Sequence, residues 1–170
     1  MTRKTIIKFL SIINIVLLII FSLKDNLFYS NLSRIANSED YLYFIFLFIS
    51  LLFGINLYLY IKDINSKVAY IGLISLLVGS ITPYNYLDSN ALTSNIHIIG
   101  GFLSILLILV YEIYIIVYLK SINNNAYKLV FYSLLIIGFI TIYLYGKYGF
   151  MNSLNELIYL VFVQISLMFI

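Results

Sequence analysis

The chain alternates six long apolar runs with short polar segments. The runs cover roughly residues 5–23, 41–61, 67–82, 96–119, 127–146 and 153–170. They are apolar on all sides and lack the two-residue alternation of barrel strands, and every backbone group in lipid must be hydrogen-bonded, so we expect helices. A helix needs about 20 residues to cross the hydrocarbon core. The pattern predicts an all-α, polytopic membrane helix bundle of about six transmembrane helices, with 67–82 as the shortest span.

Composition supports one transmembrane domain over residues 1–170. Hydrophobic residues make up 63% of the chain, charged residues make up 10%, and the mean hydropathy is +1.04, far from globular averages. Arg3 and Lys4 precede the first run and Lys8 lies in its first turn, a pattern that a signal peptide also shows. Because that run is longer than a signal core and no small-residue cleavage site follows it, we expect an uncleaved anchor.

Basic residues predict the orientation. If the N-terminus is cytoplasmic, the cytoplasmic side holds Arg3, Lys4, Lys8, Lys62, Lys67, Lys120 and Lys128, and the outer side holds Lys24, Arg34 and Lys147. This excess favours a cytoplasmic N-terminus, and an even number of spans then places the C-terminus in the cytoplasm of a multi-pass cell-membrane protein. The net charge of +3 is dispersed over helix ends, so it indicates membrane lipids as partners and no nucleic acid.

Small residues concentrate in the third and fourth runs. Two pairs, Ser75 with Gly79 and Gly100 with Ser104, each place small side chains one helical turn apart, and Gly101 adds a third glycine. Such spacing lets helix backbones approach closely in lipid. We expect the third and fourth spans to pack along these faces.

The same region holds the candidate binding residues. His97 is the single histidine and stands at the outer entry of the fourth span, and Ser104 and Glu112 follow within the span. An ionised, unpaired carboxylate at that depth costs at least about 2.5 kcal/mol, so we expect Glu112 to be protonated or paired with another helix. Asp88 and Asn95 lie in the preceding loop and would join His97 in an outward-facing polar vestibule.

Several chemistries lack the residues that they need. The absence of cysteine excludes disulfides and thiolate metal sites, and one histidine excludes bis-histidine haem within one chain. No H-E-x-x-H, G-x-S-x-G, Walker or G-x-G-x-x-G motif is present. We therefore expect no cofactor, no metal site and no catalytic group that can be named from the sequence.

The segment from Gly72 to Tyr118 resembles the DRAM/Frag/Sfk-type six-span membrane proteins and a related bacterial domain of unknown function. Small residues end one helix, Pro83 opens an outer loop, and His97 precedes the Gly100-Gly101 entry to the next helix. The resemblance implies a six-span bundle in which His97, Gly100 and Gly101 open a transmembrane helix, and it implies architecture more than activity.

Three functions remain open. The leading hypothesis is a noncatalytic multispan membrane protein, associated with lipid or with other membrane subunits, that carries the polar vestibule. The alternative is a small transporter or substrate-binding subunit that uses the intramembrane carboxylate of Glu112. The third is a membrane-embedded enzyme with His97 as general base, for which a second catalytic group is missing.

Overall fold

A computed structural model describes residues 2–64, 67–85, 87–88 and 90–169, and the regular secondary structure of that part of the chain is helical. Its helices are α1 (Arg3–Ser22), α2 (Leu32–Ala36), α3 (Asp40–Ile64), α4 (Lys67–Ile81), α5 (Leu92–Ile122), α6 (Asn124–Tyr148) and α7 (Ser153–Leu167). Four of them, α1, α3, α5 and α6, are long and apolar enough to cross a membrane. The all-α prediction is confirmed at this level.

Each predicted run coincides with a helix, but two of these helices are short. The helices α4 and α7 have 15 residues each. At 1.5 Å per residue they are about 22 Å long, against a hydrocarbon core of about 30 Å. The predicted sixth run continues to Ile170, which lies outside the described residues, as do residues 65 and 66 between the second and third runs.

The two longer polar segments between the apolar runs, residues 24–40 and 83–95, contain more helix than their polarity indicates. The short helix α2 lies inside the Lys24–Asp40 loop, and α5 begins at Leu92, so that Asn95 belongs to a helix. The physical reason at α5 is local. Asn95 N donates to Ala91 O at 3.1 Å, so helical hydrogen bonds begin before the apolar run does.

The chain divides into two compact units, and α5 contributes to both. The first unit comprises Met1–Leu32 and Glu112–Ile170, and the second comprises Ser33–Tyr111. In the first unit α7 packs against α1 and α6. The segment after α1 binds the start of α7, since Ser153 N donates to Ser30 O at 2.6 Å and Leu32 N donates to Glu156 Oε2 at 2.7 Å. The helices α1 and α7 are therefore antiparallel.

In the second unit α4 packs against α3, and two of its glycines, Gly72 and Gly79, meet α5. A Cβ atom added to Gly79 would lie 2.9 Å from Gly101 N, and one added to Gly100 would lie 3.0 Å from Gly79 Cα and 3.1 Å from Ser75 O. Nothing lies within 4 Å of a Cβ atom added to Gly101. Backbone meets backbone at this crossing because Gly79 and Gly100 have no side chain.

Candidate functional site

His97 lies in the second unit, where it joins three segments. Its Nδ1 is 2.7 Å from Thr82 O, just after α4, and its Nε2 is 2.7 Å from the Oγ of Ser33 in α2. The Tyr84 ring meets the imidazole edge-on at a centroid distance of 6.0 Å. His97, Ser33 and Tyr84 are all half-buried, so the group is partly accessible.

The partners of His97 determine which nitrogen carries the proton. Thr82 O is a carbonyl oxygen and can only accept a hydrogen bond, so Nδ1 must donate. In the neutral imidazole Nε2 is then the acceptor, and the Ser33 hydroxyl donates to it. The result is a serine whose proton points at a histidine nitrogen, with the histidine held by a backbone acceptor.

The other predicted vestibule residues, Asp88 and Asn95, and the neighbouring Ser94 form hydrogen bonds within the loop before α5 and the first turn of α5. Ser94 is fully buried, and its Oγ accepts from Asn85 N at 3.0 Å and contacts Asp88 O at 3.1 Å. The Asp88 side chain accepts from Asn90 N at 3.0 Å, and Asn95 Nδ2 donates to Asn90 O at 3.2 Å. Asp88 and Asn95 are exposed, and each is engaged within its own segment.

Ser104 is also occupied locally. It is buried, and its Oγ donates to Gly101 O one turn earlier in α5 at 2.7 Å. This bond satisfies the hydroxyl within the helix and needs no partner from elsewhere.

Glu112 lies in the first unit and is completely buried. Its Oε1 is 2.9 Å from the Oγ of Ser166 in α7. Its Oε2 is buried and has no hydrogen-bond partner among the described residues. The Tyr159 phenol is near enough to interact electrostatically with the carboxylate. Glu112 therefore contacts Ser166 within the first unit, whereas His97 contacts Ser33 within the second.

The Ser166 hydroxyl has two neighbours and one hydrogen. Besides Glu112, its Oγ contacts Val163 O at 2.8 Å. If Glu112 is ionised, the Ser166 hydroxyl can donate its one hydrogen to either Glu112 Oε1 or Val163 O, but not fully to both. If Glu112 is protonated, the carboxyl group can donate to Ser166 and the hydroxyl can donate to Val163 O, so that both contacts become hydrogen bonds. Adding or removing one proton at Glu112 therefore only requires the Ser166 hydroxyl to rotate.

A cavity of about 340 Å³ reaches Ser166 from the α6 side of the first unit. Among its lining residues only Ser133 and Ser166 have polar side chains. The remainder are apolar, contributed by α1, α6, α7 and the residues after α7: Ile19, Leu129, Val130, Ile137, Leu157, Ile158, Val161, Phe162, Ile165 and Phe169. One hydroxyl group thus connects the cavity to the buried carboxylate.

The first unit holds further buried polar side chains. Asn14 in α1 and Asn155 in α7 are completely buried, and among the described residues neither side-chain amide has a hydrogen-bond partner. Asn14 interrupts the first apolar run, whereas Asn155 lies at the polar start of the sixth run, where the sequence pattern does not distinguish it.

The two contacts that define these sites join distant parts of the chain. Ser33 is 64 positions from His97, and Ser166 is 54 positions from Glu112. No spacing motif connects either pair, so neither serine could be found by reading along the chain.

The described residues contain no group of three or more His, Cys, Asp or Glu side chains that could hold a metal ion. No family model, curated protein or solved structure matches the chain.

Proposed function

We propose that the chain is a multi-pass protein of the cytoplasmic membrane with six spans and both termini in the cytoplasm. Four helices meet the length and hydropathy that a span requires, and basic residues favour this orientation. The short helices α4 and α7 would complete the six, because locally thinned lipid or neighbouring helices accommodate a short span. The segment resembling DRAM/Frag/Sfk-type proteins fits the same architecture.

Within that architecture we propose a small proton-linked carrier in which Glu112 binds and releases the proton. The observation that carries this proposal is a completely buried carboxylate whose Oε2 lacks a hydrogen-bond partner among the described residues. An ionised carboxylate within the membrane is energetically unfavourable, and such residues recur in the proton relays of transporters. The Ser166 hydroxyl supplies a contact that rotates as the proton binds and leaves, and the cavity lies one hydroxyl group away from Glu112.

Proton binding at Glu112 is testable without knowing a solute. We expect infrared spectra of the protein in lipid nanodiscs to show the carbonyl band of a protonated carboxyl group, and we expect Glu112→Gln to remove it. In liposomes that hold a pH-sensitive dye under a membrane potential, wild-type protein should let protons enter, and Glu112→Gln should reduce entry to the rate of protein-free liposomes.

Glu39→Gln is the matched control, because Glu39 is exposed and immediately precedes α3. It should leave both the buried-carboxyl band and proton entry unchanged. A band that survives Glu112→Gln, or proton entry that is equal in the two proteins, would overturn the assignment to Glu112.

The second candidate is a noncatalytic protein associated with lipid or with another membrane subunit, and the surface of α6 favours it. Only 11% of the residues in the most apolar 18-residue stretch of α6 are buried. A Cβ atom added to Gly138 would have nothing within 4 Å. Gly138→Leu distinguishes the two kinds of neighbour. A bulky side chain is harmless against fluid lipid but disrupts close packing against a partner helix, so loss of a co-purifying subunit would favour the partner and an unchanged preparation would favour lipid.

A further inference from the structure

We propose that Ser33 is a nucleophile activated by His97 and that the pair cleaves carboxylic esters with apolar acyl chains. A serine becomes nucleophilic when a base takes its proton and a third group orients that base. Here the base is 2.7 Å from the Ser33 hydroxyl, and Thr82 O, also at 2.7 Å, orients it. This inference goes beyond the proton-linked role proposed for Glu112.

Accessibility distinguishes Ser33 from Ser94 and Ser104, the two described serines that lie near His97 along the chain. Ser94 and Ser104 are buried, and their hydroxyls are bonded within their own segments. Ser33 and His97 are only half-buried, so part of the pair remains accessible to a substrate. Ser33 also supplies the second catalytic group that the sequence alone does not identify.

The surroundings of the pair favour an apolar ester. His97 stands five residues after the start of α5, about 7.5 Å along the helix. Under the proposed topology this is the outer end of a span, where polar headgroups meet acyl chains. The adjoining segment presents two strongly exposed leucines, Leu87 at 99% and Leu92 at 75%, which suit contact with an acyl chain.

The reaction balances with water alone. Ser33 Oγ attacks the ester carbonyl carbon while its proton moves to His97 Nε2, and the ester C–O bond breaks as that proton passes to the departing alcohol. Water then attacks the acyl-serine, gives one proton to Nε2 and releases the acid as Ser33 recovers that proton. No oxidant, reductant or metal enters either step.

A fluorophosphonate probe tests the nucleophile directly, because it forms a stable bond with activated serines. Full-length protein in nanodiscs should be labelled at Ser33, as located by peptide mass spectrometry. Ser33→Ala and His97→Gln should both lose the label. Ser38→Ala is the control and should keep it, because the Ser38 hydroxyl donates to Ile35 O in its own turn.

The absence of cysteine from the chain allows a second measurement that does not depend on the probe. Ser33→Cys creates a single thiol beside His97. An imidazole partner raises the thiolate fraction, so N-ethylmaleimide should react with this thiol at neutral pH roughly tenfold faster than in the Ser33→Cys/His97→Gln double variant. A thiol introduced by Ser38→Cys should react at the same rate with and without His97.

Circular dichroism on every variant separates loss of activation from loss of fold. Fluorophosphonate labelling of Ser33 together with a His97-dependent thiol rate supports the proposal. Equal thiol rates in folded Ser33→Cys and Ser33→Cys/His97→Gln proteins would overturn it, and so would labelling that persists in Ser33→Ala. Neither result depends on Glu112, so the two proposals can fail separately.

Discussion

Ser94 and His97 in the second unit differ from Asn14 and Glu112 in the first unit in how their polar atoms are satisfied. In the second unit, Ser94 and His97 lie near helix ends and are satisfied by backbone and side-chain partners in loops and in α2. In the first unit, Asn14 and Glu112 lie inside long apolar helices, and among the described residues the Asn14 amide and Glu112 Oε2 have no hydrogen-bond partner. Satisfied groups stabilise a fold, whereas unsatisfied buried groups oppose it. A contribution to stability therefore does not explain why Asn14 and Glu112 are present in the first unit.

The largest expected effect tests the glycine crossing of the second unit. Gly79→Val would place side-chain atoms against the backbone of Gly100 and Gly101, which cannot move aside as a flexible side chain can. We expect the free energy of unfolding to fall by about 3 kcal/mol, at the upper end for overpacking, in a detergent-micelle denaturation experiment. Gly138→Val in α6 is the control, since a Cβ atom there meets open space. Equal losses in both variants would contradict the tight crossing.

The next effect has the opposite sign and tests the contrast between the units. Asn14→Leu removes a buried amide that lacks a partner among the described residues and substitutes an apolar side chain of similar size. We expect the free energy of unfolding to rise by about 1–2 kcal/mol, because the desolvation penalty of the amide disappears.

The matched control for Asn14→Leu is Asn123→Leu. Asn123 Oδ1 accepts from Ala126 N and caps α6, so its loss should destabilise by about 1 kcal/mol. If Asn14→Leu destabilises to a similar extent, the first unit satisfies its polar groups as the second does, and the comparison fails.

The sequence predicts the long helices well and the sites poorly, for a physical reason. A span must be continuously apolar, so runs such as 96–119 stand out without knowledge of any tertiary contact. The short helix α2 has only five residues, too few to show a periodic pattern. Glu112 stands out because a carboxylate is costly in an apolar run, but a serine such as Ser166 is nearly neutral there. Its role depends on packing between helices, which no local pattern encodes.

The smallest expected effect concerns the loop before α5. Ser94→Ala removes a fully buried hydroxyl that accepts from Asn85 N. Because Asn85 is exposed, water replaces part of the lost bond, and we expect a local loss of about 1 kcal/mol, which is roughly a fivefold faster hydrogen exchange at the Asn85 amide. Ser38→Ala should leave that exchange rate unchanged. An unchanged rate in Ser94→Ala would mean that the loop does not depend on its buried hydroxyl. Satisfied polar groups would then not explain the stability of this part of the second unit.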